Sequence, residues 1–333
     1  MRWNTAAAAA LSLLVWTVQS LAQTAGLEAF QRPERVPFPA SAPYSREVAT
    51  LGKMLFFDPR LSSGQNISCS SCHNPSFGWE VPVPKAMGAA GTPVRRHAPT
   101  LLNAAWITPL LWDGRAASLE EQAIGPITAG DKMNATFSGI TERLSAVRDY
   151  RLWFERLFPG KGIRKETVLT ALATYQRTIV SGVASFDRWV EGDETAVSNA
   201  AKRGFALFTG RANCVSCHAG WMFTDNRLYD IGLQASDPGS GELEPPGKGQ
   251  IHRFKTPGLR NISLRAPYMH DGSLASLEEV IRHYAAGGAA APGRTPDIEG
   301  FAITGDEIAD LIAFLETLTD TGTNVPSPIL PAN

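Results

Sequence analysis

The 333-residue sequence predicts a mainly α-helical fold built of two similar halves. Three observations carry this expectation: a C-x-x-C-H pentapeptide that occurs twice, an internal repeat at a constant offset, and a helix-start signal at the same place in each repeat. Strand signals are few. A hydrophobic content of 44% and a formal charge of −1 describe an ordinary globular chain with enough length for two cores. That charge balance gives no basic field for nucleic acid or a membrane surface.

The pentapeptides are Cys69-Ser-Ser-Cys72-His73 and Cys214-Val-Ser-Cys217-His218, and together they use all four cysteines. Two thiols at this spacing, followed at once by histidine, form the attachment signature of c-type haem. The thiols take the vinyl groups and the imidazole takes the iron. A structural zinc site normally draws four ligands from such a set, and disulfides need no histidine fixed after each pair. The expectation is two covalently bound haem c groups, with Cys69, Cys72, Cys214 and Cys217 as attachment points. His73 and His218 are the expected iron ligands. The fold class follows: two cytochrome-c-like domains in which haem supplies much of each core.

At the N-terminus, Arg2 precedes an apolar run from Ala6 to Val18 and the small-x-small triplet Ser20-Leu21-Ala22. This pattern predicts a signal peptide over residues 1–22, cut after Ala22. The run is short for a bilayer span, and no later segment is apolar enough to be one. Since c-type haem is attached outside the bacterial cytoplasm, the expected location is the periplasm. The polar stretch Gly192-Asp193-Glu194 reads as a linker between a first domain, 23–190, and a second, 191–333.

Within each half the elements repeat in order. Gly52 with Leu55-Phe56, and Gly204 with Leu207-Phe208, mark an apolar helical stretch before the cysteines. After them come a Pro-rich crossing segment and an Asp-Gly turn. Pro99, Asn103, Asp113 and Leu119 pair with Pro257, Asn261, Asp271 and Leu277, each at an offset of 158 residues (257 minus 99) with no gap. The haem motifs are offset by 145 (214 minus 69), so only the connection between motif and repeat differs in length. Ser118 with Glu121, and Ser276 with Glu279, form an S-x-x-E capping pattern that fixes where the next helix begins. Further helices are expected over 165–180 and 306–318.

The repeat also allows the two distal sides to be compared within one chain. The ligand opposite the proximal histidine decides whether a haem only carries electrons or also binds substrate. The offset maps Tyr284 onto Pro126 and His283 onto Gly125. Proline cannot ligate iron, whereas tyrosine can. If this position faces iron in both halves, Tyr284 closes the second haem while the first stays open beside Pro126. Met269, His270 and His283 are the other candidate ligands for the second haem.

The ordered motifs A-P-T-L-L-N, W-D-G-R-A, L-E-E-Q-A, P-x-L-R-N, A-P-Y-M-H-D-G and L-E-E-V, set around the two pentapeptides, resemble the bacterial dihaem cytochrome c peroxidase and MauG family over residues 45–320. The resemblance implies a peroxidatic first haem and an electron-transfer second haem. The peroxidases carry methionine where this chain has Tyr284, and MauG-type enzymes carry tyrosine. The peroxidases often have a distal histidine that the segment Met87 to Gly91 lacks, so both departures favour the MauG side.

Trp112 resembles the family's tryptophan relay between the haems, and Gln122 and Pro126 match distal-pocket positions. Where the family has a distal glutamate before methionine, this chain has Lys132 before Met133, with Asp131 adjacent. The acid role is left open between Asp131 and an altered chemistry at Lys132. The family also binds calcium between its domains through an asparagine. His97 stands there instead and is a poor calcium ligand, although carbonyls near Arg265 and Pro267 are available.

The implied function is a periplasmic dihaem oxidoreductase. It would use hydrogen peroxide at the first haem and exchange oxidising equivalents with a protein partner that it modifies, as MauG does. One alternative is a cytochrome c peroxidase fed by a small cytochrome or copper protein. Another is a non-enzymatic electron-transfer cytochrome.

Overall fold

The structure, a computed structural model, describes residues 26–233, 236–243, 251–289, 296–320, 322 and 325–332. The expected signal peptide lies outside the described residues. Among them, the first half holds α1 (Arg46–Phe57), one helical turn at Cys69–Cys72, α2 (Leu119–Thr128), α3 (Phe137–Ala146), α4 (Arg148–Leu157) and α5 (Lys165–Arg177). The second half holds α6 (Ser185–Val190), α7 (Asn199–Thr209), α8 (Leu277–Ala285) and α9 (Gly305–Glu316). Strands β1 (Leu228–Tyr229) and β2 (Phe254–Lys255) form a short antiparallel pair. The mainly helical, two-domain expectation holds.

Each half is organised by one close helix crossing. In the first, α1 packs on α5; in the second, α7 packs on α9. Glycine makes both crossings possible. A Cβ on Gly52 would overlap the Ala171 carbonyl of α5, and a Cβ on Gly204 would overlap the Asp310 carbonyl of α9. Around the first crossing lie Leu51, Leu55, Phe56, Tyr150, Phe154 and Leu172, all essentially inaccessible. Around the second, Phe186, Phe205, Phe208, Phe223 and Phe314 contact one another edge-on or tilted.

Matched residues do matched work. Asn103 and Asn261 both adopt the left-handed conformation, at φ 60° and 58°. Asn103 donates its N–H to the Ile179 carbonyl and accepts from Ser181 N–H, whereas Asn261 donates to the Leu318 carbonyl and accepts from Asp320 N–H. Each thus ties the crossing segment to the chain just after the last helix of its half. This explains why those helices end at Arg177 and Glu316, short of the expected 180 and 318. The next backbone groups are committed to the asparagine hooks.

The expected caps form with one refinement. Ser118 and Ser276 accept from the N–H groups of Glu121 and Glu279. The glutamates reach back one residue further than a capping box requires, to Ala117 N–H and Ala275 N–H.

The first and last described segments cross over. Leu27 and Phe30 lie in the second core, and Arg32 donates to the Ser181 and Gly182 carbonyls. Val325 and Leu330 pack against the first core, and Arg60 donates to the Pro331 carbonyl. No helix among the described residues is long and apolar enough to cross a membrane.

Candidate functional site

The proximal geometry is built twice. His73 and His218 follow their cysteine turns, with backbone N–H groups bonded to the Cys69 and Cys214 carbonyls at 2.9 Å. Trp79 and Phe223, both at positive φ, turn their carbonyls back to the imidazoles. His73 Nδ1 lies 3.2 Å from the Trp79 oxygen, and His218 Nδ1 lies 2.8 Å from the Phe223 oxygen. A carbonyl only accepts, so Nδ1 donates and Nε2 keeps its lone pair for a metal.

Burial drives the His73 pKa down to about 4 against the pull of the Trp79 carbonyl, and it lowers that of His218 in the same way. Both rings are therefore neutral, as a ligand must be. Burial also pushes the Cys69 and Cys214 thiols up to about 12. The four cysteines form no disulfide.

In the first half these groups open onto a cavity of about 310 Å³. Cys69, Cys72 and His73 line it together with Trp112, Gln122, Pro126, Asp131 and Lys132. All the first-half residues singled out from the sequence thus meet in one place, brought there by the cysteine turn, the Asp-Gly turn, α2 and the loop after α2. Phe56, Leu101, Ile107, Leu119, Ile127 and Leu172 give it apolar walls, so the residues present suit a haem with its iron on His73.

Asp131 and Lys132 divide. Asp131 accepts from the Arg95 backbone N–H at 3.3 Å, at the rim. Lys132 lines the same cavity, and its charge acts to lower the pKa values of both Cys72 and His73. Burial lowers the Lys132 pKa, partly offset by Asp131. The loop is pinned from behind: Ala89 N–H donates to the Lys132 carbonyl at 2.7 Å, and a side chain at Gly88 would overlap the Asp131 carbonyl.

In the second half, Tyr284 sits on α8 near Cys214 and Cys217. Burial raises its pKa, and both thiols add to that rise. The rival side chains are engaged elsewhere. His283 Nε2 donates to the Ile231 carbonyl at 2.7 Å. The His270 ring stacks on Phe254 with centroids 3.6 Å apart. Met269 lies at the turn, at φ 79°, and packs on the second core.

The halves meet around a local two-fold relation. His97 N–H donates to the His270 carbonyl at 2.8 Å, and Lys255 N–H donates to the Trp112 carbonyl at 2.7 Å. His97 and Lys255 are themselves 158 residues apart, as are Trp112 and His270. The Trp112 indole N–H donates to the His97 carbonyl at 2.9 Å, and its ring lies edge-on to His270 at 6.4 Å. Trp112 is therefore fixed by both halves.

Lys255 belongs to no motif and is found only in the folded chain. It comes from the second half, is 8% exposed and lines the first cavity, and burial lowers its pKa to about 8. Its offset from His97 is the one signal in the sequence that points to it. The second half also fastens onto the rim of the first cavity through Asp237, 2.7 Å from both Arg95 and Arg96.

The profile of the di-haem cytochrome c peroxidase family matches residues 46–195, and that of cytochrome c matches residues 201–319. The chain is similar to the methylamine utilization protein MauG of Methylorubrum extorquens, with 48% identity covering 91% of this chain and 86% of that protein. It is also similar to the MauG of Methylophilus methylotrophus, with 43% identity covering 91% and 92%. Among solved structures, a MauG-like protein associated with microbial copper homeostasis superposes with a TM-score of 0.79. The identity is 32%, covering 87% of this chain and 95% of that one.

Proposed function

Because this chain belongs to the di-haem cytochrome c peroxidase and MauG family, and is a dihaem oxidoreductase with haem c as its cofactor, we propose that it reacts with hydrogen peroxide at the first half and passes the oxidising equivalents through the second half to a protein that it modifies. The observation that carries this reading is the asymmetry of the two distal sides. Pro126 lines a cavity beside Cys69, Cys72 and His73, whereas the matched Tyr284 stands by Cys214 and Cys217.

Cys69 and Cys72, and likewise Cys214 and Cys217, would hold the haems through thioether bonds. His73 and His218 would be the proximal ligands, and Tyr284 the distal ligand of the second haem. When bound, the haems supply the redox chemistry, accepting two oxidising equivalents from peroxide.

The chain's own residues do the rest. Pro126 brings no donor and no ligand to the distal wall, so it leaves room for peroxide. Gln122, on the same face of α2, can hydrogen-bond it. Lys132 is the candidate proton carrier: as an amine it takes a proton from the nearer peroxide oxygen, and as an ammonium it returns one to the departing oxygen. Asp131 holds that loop through Arg95. Burial keeps the Tyr284 phenol protonated unless a metal takes its oxygen; bound as a phenolate it would favour the higher oxidation states of iron, and Trp112, fixed between the halves, would relay electrons.

Export by the 1–22 leader to the periplasm completes the reading. The domain division stays at 190/191 in sequence, with Leu27, Phe30 and the α6 residues Phe186 and Trp189, all ahead of it, packing in the second core.

The test is peroxide addition to the fully oxidised protein, followed by EPR and absorbance. The expected outcome is one high-spin and one low-spin signal at rest, both altered by peroxide without prior reduction. Tyr284→Met should make the response depend on pre-reduction. If the unaltered protein already needs reduction, it is a cytochrome c peroxidase. Two low-spin signals with no response would identify an electron-transfer protein.

A further inference from the structure

The residues at the junction do not fit the calcium ion that the family resemblance implies there, and we propose that the Arg265 guanidinium, paired with a Glu80 carboxylate whose other oxygen His97 holds, joins the two halves in its place. Calcium needs six to eight oxygen ligands. Where the family has an asparagine oxygen, His97 presents a ring whose two nitrogens are already used. Nδ1 lies 3.2 Å from the Val83 and Pro84 carbonyls, and Nε2 lies 3.1 Å from Glu80 Oε2.

The Glu80 carboxylate is equally committed. Its Oε1 accepts from Arg265 Nε at 2.8 Å and from Thr100 N–H at 3.0 Å. Arg265 Nη1 donates to the Gly258 carbonyl at 2.7 Å and to the Arg260 carbonyl at 3.1 Å. A cation thus already stands among the oxygens of the junction, and a divalent ion beside it would be repelled. Glu80, His97 and Arg265 are 3%, 2% and 4% exposed, so water does not screen them. The fold makes room for the arginine stem: Gly78 is left-handed at φ 59°, and any side chain there would collide with Arg265 Cγ.

The clamp is one-sided, and it joins the groups that matter for coupling. Residues 158 positions from His97 and Arg265 are Lys255 and Ile107, which make no such pair. The Glu80 backbone carbonyl accepts from Asn74 N–H and closes the loop whose Trp79 carbonyl holds His73. The His97 carbonyl holds the Trp112 indole, and its N–H holds the second half at His270. Arg265 therefore reaches from the second half to the backbone that positions both His73 and Trp112. Glu80, His97 and Arg265 are positioning residues. The relay role of Trp112 rests on the function proposed above, but the metal-free junction does not.

The test uses the full holoprotein at rest, without peroxide. Elemental analysis before and after dialysis against EGTA should find calcium far below one per chain, with both EPR signals unchanged by the chelator. One calcium per chain whose removal alters either signal would overturn the proposal. Arg265→Leu should shift the EPR signal of the His73-ligated haem and its reduction potential, and Arg265→Lys should restore most of both. If Arg265→Leu melts as the parent does and neither quantity moves, the positioning role is wrong. If that variant does not fold, the calcium measurement still decides, and it does so equally for a resting protein that ignores peroxide.

Discussion

In the first half, α2 carries Pro126 to the wall of a cavity shared with Cys69, Cys72 and His73. In the second, the same turn of α8 carries Tyr284 towards Cys214 and Cys217. Almost everything around that difference is held constant. Both halves cross two helices over a glycine, hook the crossing segment with a left-handed asparagine, cap the distal helix with serine and hold a neutral histidine through its Nδ1. The lesson is that a duplicated skeleton fixes where a group is presented, and on the proposed function the one side chain carried there, Pro126 or Tyr284, sets whether the position is open or closed. The halves also differ in how they lend residues. The second gives Lys255 to the first cavity, Asp237 to the Arg95 and Arg96 side chains at its rim, and Arg265 to the clamp, so the first cavity is built by both.

Breaking the reactive side should produce the largest effect. Lys132→Gln is expected to slow the reaction with peroxide by roughly 100-fold or more, the usual worth of a positioned acid–base group. Asp131→Asn should change it far less, because Asp131 is turned to Arg95. Stopped-flow measurement of both variants separates the two residues, and a larger effect at Asp131 reverses the assignment. The same reaction should show a pH dependence. Burial holds the Lys132 pKa below its ordinary value of 10.5. The amine form therefore appears at lower pH than for a free lysine, and the rate rises with pH through that lowered pKa. In Lys132→Gln this rising limb should be absent.

The shared skeleton is tested by paired substitutions whose effects should match. Gly52→Ala and Gly204→Ala each push a methyl group into a backbone carbonyl that has nowhere to go. Overpacking of this kind costs about 1–3 kcal/mol. Alanine gains roughly 1 kcal/mol of helix propensity over glycine, so the net loss should be towards the upper part of that range less this gain. Melting of the holoprotein should fall by a similar amount in both variants. A drop in only one would mean that the crossings are not equivalent.

The smallest effect is expected at the caps. Ser118→Ala and Ser276→Ala should each cost about 1 kcal/mol in denaturant unfolding, with spectra unchanged. A spectral change from Ser118→Ala alone would show that the α2 start also sets the distal wall.

Much of this is legible in local sequence. The pentapeptides, the gapless repeat and the S-x-x-E starts depend on spacing, and spacing survives folding unchanged. α3 and α4 are not among the expected helices, although Tyr150 and Phe154 lie one turn apart on a buried face. Their pattern has no counterpart in the second half, so the repeat gives no help. The exchange of these outer segments between the cores is also hidden, since nothing in Phe30 or Leu330 says which core it will enter.

By itself, the sequence determined that the chain is helical and duplicated, that its four cysteines and two histidines form two equivalent haem motifs, and that the equivalence fails at Pro126 and Tyr284. Those are properties of residue type and spacing. Only the tertiary structure decided that the Asp131 carboxylate is taken by the Arg95 backbone beside a Lys132 whose pKa burial lowers, that Lys255 lines the opposite half's cavity, and that Arg265 meets a Glu80 whose other oxygen His97 holds. Each of these depends on which groups remain unpaired when two halves, distant along the chain, are pressed together and lose their water. Hydrogen bonding and burial settle that outcome in three dimensions, where sequence spacing carries no information.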